Sequence, residues 1–364
     1  MAVSVAILAG FACAPVAQAQ YQWTAIPLNP EGAYNSSALA AEGGLQAGTI
    51  GFSGQAGRAG LWNGSADDWI DLTPDWASGA FLNGMDGTMQ AGQVQTRQGQ
   101  KLIYRAALWN STAESAVLLH PAEGYRASEA KAVSGTMQVG NAKYTQTALP
   151  HAALWYGTAE SFVDLNPAGA DKSRALATDG TLQGGWAALP GGGDREAVIW
   201  SGTAESVINL APDGALASQV NAMAPGVQVG SYRYQGENPR AAMWSGSAES
   251  LIDMNPQGAI GSEFFGTSGL IHTGSAIFSS FGNAGIWFGD DPDSFVNLHD
   301  YLPPEYFVSG ALDVSMVGDT IYVVGTATRG PTEAWLWVGT IPAPGTIPVV
   351  LGGVLMLTNG RRRR

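Results

Sequence analysis

The sequence has a single cysteine, Cys13, and it lies in an apolar stretch near the start of the chain. The body beyond that stretch has no thiol, which excludes disulfides, thiolate metal sites and a cysteine nucleophile there. Charge is scarce: Asp, Glu, Lys and Arg make up 13% of the 364 residues. Basic residues are the scarcer sign, 17 against 30 acidic ones, for a net charge of −13. Four of those 17 are the terminal arginines, so no basic footprint for nucleic acid exists in the body and that partner is excluded. No cofactor is implied. What is abundant is glycine (49 residues) and tryptophan (12). Glycine-rich turns between short aromatic runs suit β-strands, and the 45% hydrophobic content is enough for a large core.

The body repeats itself. Ala107-Leu108-Trp109, Ala153-Leu154-Trp155, Val198-Ile199-Trp200 and Ala242-Met243-Trp244 are one phrase, and Trp62, Trp287 and Trp337 extend the series. Successive tryptophans lie 47, 46, 45, 44, 43 and 50 residues apart. Each unit reads as four short strands. The first carries Ser-x-Ala (Ser36, Ser128, Ser173, more loosely Ser218 and Ser262). The second carries Gln-x-Gly (Gln46, Gln90, Gln138, Gln183, Gln228), with His272 and Val323 in the same slot. The third ends in the tryptophan. The fourth ends in a phrase such as Leu165-Asn166-Pro167, where proline suits a sheet edge. Four strands about every 45 residues is the signature of a β-propeller blade.

The count closes only as a ring. Residues 23–30 supply a fourth strand without its first three, and residues 309–339 supply three strands without a fourth. Pairing them predicts an all-β, seven-bladed propeller over residues 20–340, with the tryptophans packed between blades.

The two ends read as addresses. Residues 1–19 end in Ala17-Gln18-Ala19, a cleavage signal that predicts a signal peptide and a mature start at Gln20. Residues 341–364 run from Pro342-Ala343-Pro344-Gly345 through a mostly apolar segment to Arg361, Arg362, Arg363 and Arg364. The 13 residues from Thr346 to Thr358 would span about 20 Å as a helix, short of the ~30 Å hydrocarbon core, so the expected membrane contact is transient.

This tail resembles the PEP-CTERM sorting signal, with Ala343 where that family has glutamate. The resemblance implies processing by an exosortase-type enzyme, and a place at the cell surface or in the extracellular matrix of a Gram-negative bacterium. The repeat resembles the extracellular HAF-type repeat, without that family's usual Ile-Asn before the glycine turn. That resemblance implies an exported β-fold and no firm activity.

Candidate chemistry is sparse. Asp67, Glu114, Glu160, Glu205, Glu249 and Asp293 recur at one slot of the turn between third and fourth strands. One carboxylate per blade cannot pair for acid–base work, and no loop has the oxygen density calcium needs, so neither a catalytic nor a metal set is assigned. His120 and His299 stand where other units have asparagine, and His272 replaces a repeated glutamine. These read as structural variants. The opposite connections vary, and those from fourth to first strand carry Tyr301, Tyr306, Phe307, Tyr34, Trp76 and Tyr125 on consecutive blades of the closed ring. Connections from second to third strand add Tyr104, Tyr144, Trp186, Tyr232 and Tyr234. An aromatic arc suits the apolar faces of sugar rings. The expectation is a non-catalytic surface protein that binds exopolysaccharide or another matrix component there. The alternatives are a lyase or glycosidase on the same face, or a protein–protein scaffold.

Overall fold

The computed structural model describes residues 21–145 and 149–340. The signal-peptide, cleavage-site and sorting-tail expectations all lie outside those residues. The described chain forms seven four-stranded antiparallel sheets arranged as a seven-bladed propeller. Blades 1 to 6 occupy residues 33–71, 79–118, 127–164, 173–209, 217–253 and 261–297 in chain order. In each, the strands pair in the order in which they occur. Blade 7 takes its first three strands, Val308–Val317, Thr320–Thr328 and Thr332–Thr340, from the C-terminal end of the body. Its fourth strand is Gln22–Pro27, paired from Gln22↔Thr340 to Pro27↔Trp335. The ring is therefore closed by one sheet shared between the two ends, as the unit count required.

The Gln-x-Gly phrase has a steric cause. Every first strand carries a β-bulge at the same place, for example between Ala130 and Ala132. The bulge presses a carbonyl onto the second strand where the glycine sits. A Cβ on Gly48, Gly92, Gly140, Gly185, Gly230, Gly274 or Gly325 would lie 1.9–2.0 Å from that carbonyl oxygen. No side chain can occupy these seven positions without moving backbone.

The glutamine of the same phrase has a different task. Gln138 and Gln183 are buried, and each accepts a 2.7 Å hydrogen bond on Oε1 from Gly157 N or Gly202 N. In Gln46, Gln90 and Gln183 the amide end donates back to the preceding turn, as from Gln183 Nε2 to Thr181 O at 3.1 Å. Each of these three glutamines thus ties two turns of its own blade together.

The seven repeated tryptophans are buried, each in a cluster shared with the preceding blade. Trp109 lies among Leu61 and Leu72 of blade 1 and donates from its indole nitrogen to Leu72 O at 2.9 Å. Trp62 packs on Val324 and Leu336 of blade 7, so the joint across the closure is built like the others. Burying a side chain of this size contributes about 2–3 kcal/mol at each joint.

A polar staple accompanies each tryptophan. The first-strand serine accepts a backbone N–H from the third strand of the preceding blade: Ala334→Ser36, Ala106→Ser128, Ala152→Ser173, Ala197→Ser218, Ala241→Ser262 and Ala284→Ser309, all at 2.8–3.0 Å. In three of these joints the serine donates onward to an asparagine, as from Ser173 to Asn166 Oδ1 at 2.6 Å. The joint between blades 1 and 2 has Ala80 in the serine slot, and Thr73, in the asparagine slot, accepts from Ala59 N directly at 3.0 Å. One hydroxyl does the work of two side chains there.

Candidate functional site

Antiparallel strands place the first-to-second and third-to-fourth turns at one end of every blade and the other two connections at the opposite end. The end with the short turns has its polar groups committed. In Thr158-Ala159-Glu160-Ser161, Ser161 Oγ accepts from Tyr156 N at 2.7 Å and donates to Thr158 O at 2.6 Å. Blades 2, 4, 5 and 6 close in the same way, through Ser115, Ser206, Ser250 and Ser294. The recurrent acidic residues Asp67, Glu114, Glu160, Glu205, Glu249 and Asp293 sit in these 3-10 turns, exposed and one per blade. Their role is to solvate the turn.

The histidines also resolve into the repeat. His120 and His299 meet Ser128 and Ser309 at 2.8 and 2.7 Å, replacing asparagine in the inter-blade staple. Burial, reinforced by Arg105, lowers the pKa of His120. His272 occupies the glutamine slot fully buried, with Nδ1 2.8 Å from Thr267 Oγ1, and burial pushes it down to about 4. His151 meets Asp164 Oδ2 at 2.8 Å in the position where Arg58 meets Asp71 and Arg240 meets Asp253.

The central channel is lined by the first strands of all seven blades and encloses about 480 Å³. The slot just after the bulge holds Ala40, Gly84, Ala132, Ala177, Ala222 and Gly266 in six blades and Asp313 in the seventh. Asp313 Oδ2 accepts from Ala41 N of blade 1 at 3.0 Å. Enclosure by the channel wall pushes its carboxyl up to about 7, and the charge of nearby Glu42 adds to the rise.

The variable end carries the aromatic arc, but not every expected member is available. Tyr34 (63% exposed), Trp76 (52%), Phe307 (46%) and Tyr301 (42%) stand in solvent. Tyr306 does not. It is buried edge-on against Trp335 at 5.2 Å, its hydroxyl donates to Glu333, and Arg329 lies 5.2 Å over its ring. Burial first and Glu333 second raise its pKa. Tyr125 is half-buried, stacked on Tyr144 at 4.4 Å, with its hydroxyl 2.9 Å from Tyr144 Oη and 3.1 Å from Asp164 Oδ2. Burial and the Tyr144 hydrogen bond raise its pKa as well. Among the second-to-third loops, Trp186 and Tyr232 fold down into cover, while Tyr144 remains exposed.

Two members were missed from sequence. Phe278 and Phe281 flank the second-to-third hairpin of blade 6 and are exposed, and Phe281 lies 5.6 Å from Phe307 of the next blade. Their signal in the sequence is the Phe-Ser-Ser-Phe phrase at 278–281. Of the eight exposed aromatics among the described residues, only Tyr156 lies at the short-turn end. Six of the other seven run from blade 6 through blade 7 and blade 1 to the start of blade 2.

Ring closure, the repeated staple and the single decorated face define a seven-bladed propeller scaffold. Comparisons of fold agree. The chain is similar to the β-propeller domain of the Trilobed protease from Pyrococcus furiosus, at 9% identity and TM-score 0.54, covering 88% of this chain and 99% of that one. It is similar to a puromycin hydrolase at 10% identity and TM-score 0.52, covering 82% of this chain and 51% of that one. A prolyl endopeptidase gives 11% identity and TM-score 0.51, covering 86% and 51%. The chain thus spans about half the length of the two latter enzymes, and at these identities the likeness concerns the fold alone. No protein-family model and no curated protein matches the chain.

Proposed function

We propose that this protein is an exported, non-catalytic surface propeller of the PEP-CTERM, HAF-repeat type that binds extracellular polysaccharide through its aromatic face. The observation that carries the reading is the one-sided distribution of exposed rings, with Phe278, Phe281, Tyr301, Phe307, Tyr34 and Trp76 on consecutive blades. Exposed aromatic planes grouped on one polar face are costly for solubility unless something covers them, and sugar C–H faces stack on such planes. The A-x-A site and the Pro-x-Pro, apolar, arginine tail support export and a surface location.

Affinity electrophoresis of the full chain against the host's own exopolysaccharide tests the binding. Retardation is expected, reduced at least fivefold by Trp76→Ala or Phe281→Ala. Unretarded migration, or retardation indifferent to both changes, rejects the reading.

A polysaccharide-active enzyme has one observation in its favour. The Asp164 carboxylate gathers His151, Tyr144 and Tyr125 at 2.8, 3.3 and 3.1 Å on the same face. The Arg–Asp pairs at the same slot of blades 1 and 5 give this cluster a structural precedent within the molecule. Release of new reducing or unsaturated ends from the same polymer would decide for the enzyme.

A further inference from the structure

A pocket opens within the aromatic arc, at blade 1. It has a volume of about 430 Å³ and is lined by Tyr34 and Asn35, by Thr49 and residues 51–55 of the second strand and its loop, by Gly57, and by Phe81 of blade 2. Its chemistry is unusual for this molecule in two respects. First, three aromatic rings meet there. Phe52 is held by Trp69 at 6.0 Å and Phe81 by Tyr104 at 6.2 Å, so two rings form a fixed wall. Tyr34 has no ring partner among the described residues and stands 63% exposed at the rim. Two glycines bring the wall in close. A Cβ on Gly57 would lie 2.5 Å from the Phe81 ring, and one on Gly51 would lie 2.2 Å from Asn35 Oδ1.

Second, the polar groups of the lining are all uncharged. They are the side chains of Asn35, Thr49, Ser53 and Gln55. Elsewhere many serines, asparagines and glutamines of the repeat are tied into staples and turns, whereas none of these four makes a side-chain hydrogen bond among the described residues. Arg58, the nearest cation along the chain, holds Asp71 at 3.0 Å and does not line the pocket.

We infer that this pocket is a subsite for an uncharged pyranose unit, formed between Tyr34, Phe52 and Phe81 with Asn35 and Gln55 as hydroxyl partners. The assignment rests on the polysaccharide-binding reading above and narrows it. A sugar ring offers an apolar face to the fixed rings and hydroxyls to the amides, which donate and accept alike. A uronate or sulfated unit would bring an anion into a pocket without a cation, on a chain of net charge −13. Such a unit is disfavoured both by desolvation and by the field of the protein.

The test uses the full chain in native gels cast with neutral polymers (dextran, galactomannan, mixed-linkage β-glucan), with acidic ones (alginate, polygalacturonate) and with the host exopolysaccharide. Retardation by at least one neutral polymer is expected. Tyr34→Ala and Asn35→Ala should each raise its dissociation constant at least tenfold, and Gln55→Ala about threefold. All three sites are exposed, and unchanged melting temperatures would show that the variants fold. Retardation by the acidic polymers alone overturns the assignment. So does neutral-polymer binding that survives Tyr34→Ala and Asn35→Ala but is lost in Trp76→Ala and Phe281→Ala. That last pattern would remove the subsite and leave the aromatic face standing as the binding surface. Absence of retardation in every gel would remove both.

Discussion

The two ends of the blades are made by the same chain under the same symmetry, yet they differ in what their side chains do. At the short-turn end, Ser161 and its counterparts fasten the turn to the third strand, and Gln183, like Gln46 and Gln90, ties that turn to the one beside it. At the opposite end the fourth-to-first connections keep a repeated backbone turn, as from Ala170 N to Pro167 O, but their aromatic side chains drift from blade to blade. The seventh-blade connection holds a buried Tyr306 and an exposed Phe307 side by side. A repeat preserves a residue where a hydrogen bond or a missing Cβ requires it. Freedom to acquire a binding surface is left where neither does.

This contrast can be broken first at a bulge glycine. Gly140→Ala places a Cβ 1.9 Å from Glu129 O, and should cost about 3 kcal/mol or more, because only backbone displacement relieves the clash. Loss of a cooperative thermal transition, or a fall in Tm well beyond that of an exposed-loop substitution, is the expected result. An unchanged melt would mean that the bulge is not rigid.

The next effect belongs to the channel. The ordinary Asp313 pKa of 3.8 is raised to about 7 in the folded protein. The folded state therefore holds a proton that the unfolded state has released, and stability falls as pH rises between those values. Asp313→Asn keeps an acceptor for Ala41 N and removes the charge. It should be nearly neutral at pH 4 and stabilising by about 2–4 kcal/mol at pH 8.5, read from urea midpoints. Equal effects at both pH values would show that Asp313 is not enclosed.

A smaller effect sharpens the comparison between the two ends. Ser173→Ala leaves Ala152 N without an acceptor in a buried joint and should cost about 2 kcal/mol. Trp76→Ala, larger in volume but half in solvent, should change stability by under about 0.5 kcal/mol. Parallel chemical melts of the two variants check the ordering, and a reversed order would place function and stability on the same residues.

Much of this was legible in the chain. The tryptophan spacing, the orphan fourth strand at residues 23–30 and the three orphan strands at 309–339 demanded a ring, and the shared sheet of blade 7 provides it. The placement of His120, His272 and His299 in asparagine and glutamine slots marks them as structural, and their contacts with Ser128, Thr267 and Ser309 agree. What the Ser-x-Ala phrase does was not legible, because its hydrogen-bond donor lies 21 or more residues earlier or, for Ser36, 298 residues later. Thr73 shows the same limit. Its hydroxyl makes sense of Ala80 only when the two slots are seen facing the same Ala59 N–H.

The binding face divides along the same line. Sequence located the aromatics in the variable connections, since a departure from a repeat is visible by comparison with its other copies. It could not separate Tyr306 and Tyr125 from Tyr34 and Trp76. A ring is withdrawn from solvent by a partner distant along the chain, Glu333 for Tyr306 and Asp164 for Tyr125.

Periodic constraints of size and hydrogen bonding are written locally, once per unit, and the chain by itself therefore determined the number of blades, their strand order and the closure. Exposure, and the gathering of Tyr34, Phe52 and Phe81 around one pocket, depend on which neighbouring blade lies against each loop. Only the assembled ring decides that, because burial is a property of contacts between segments rather than of any segment alone.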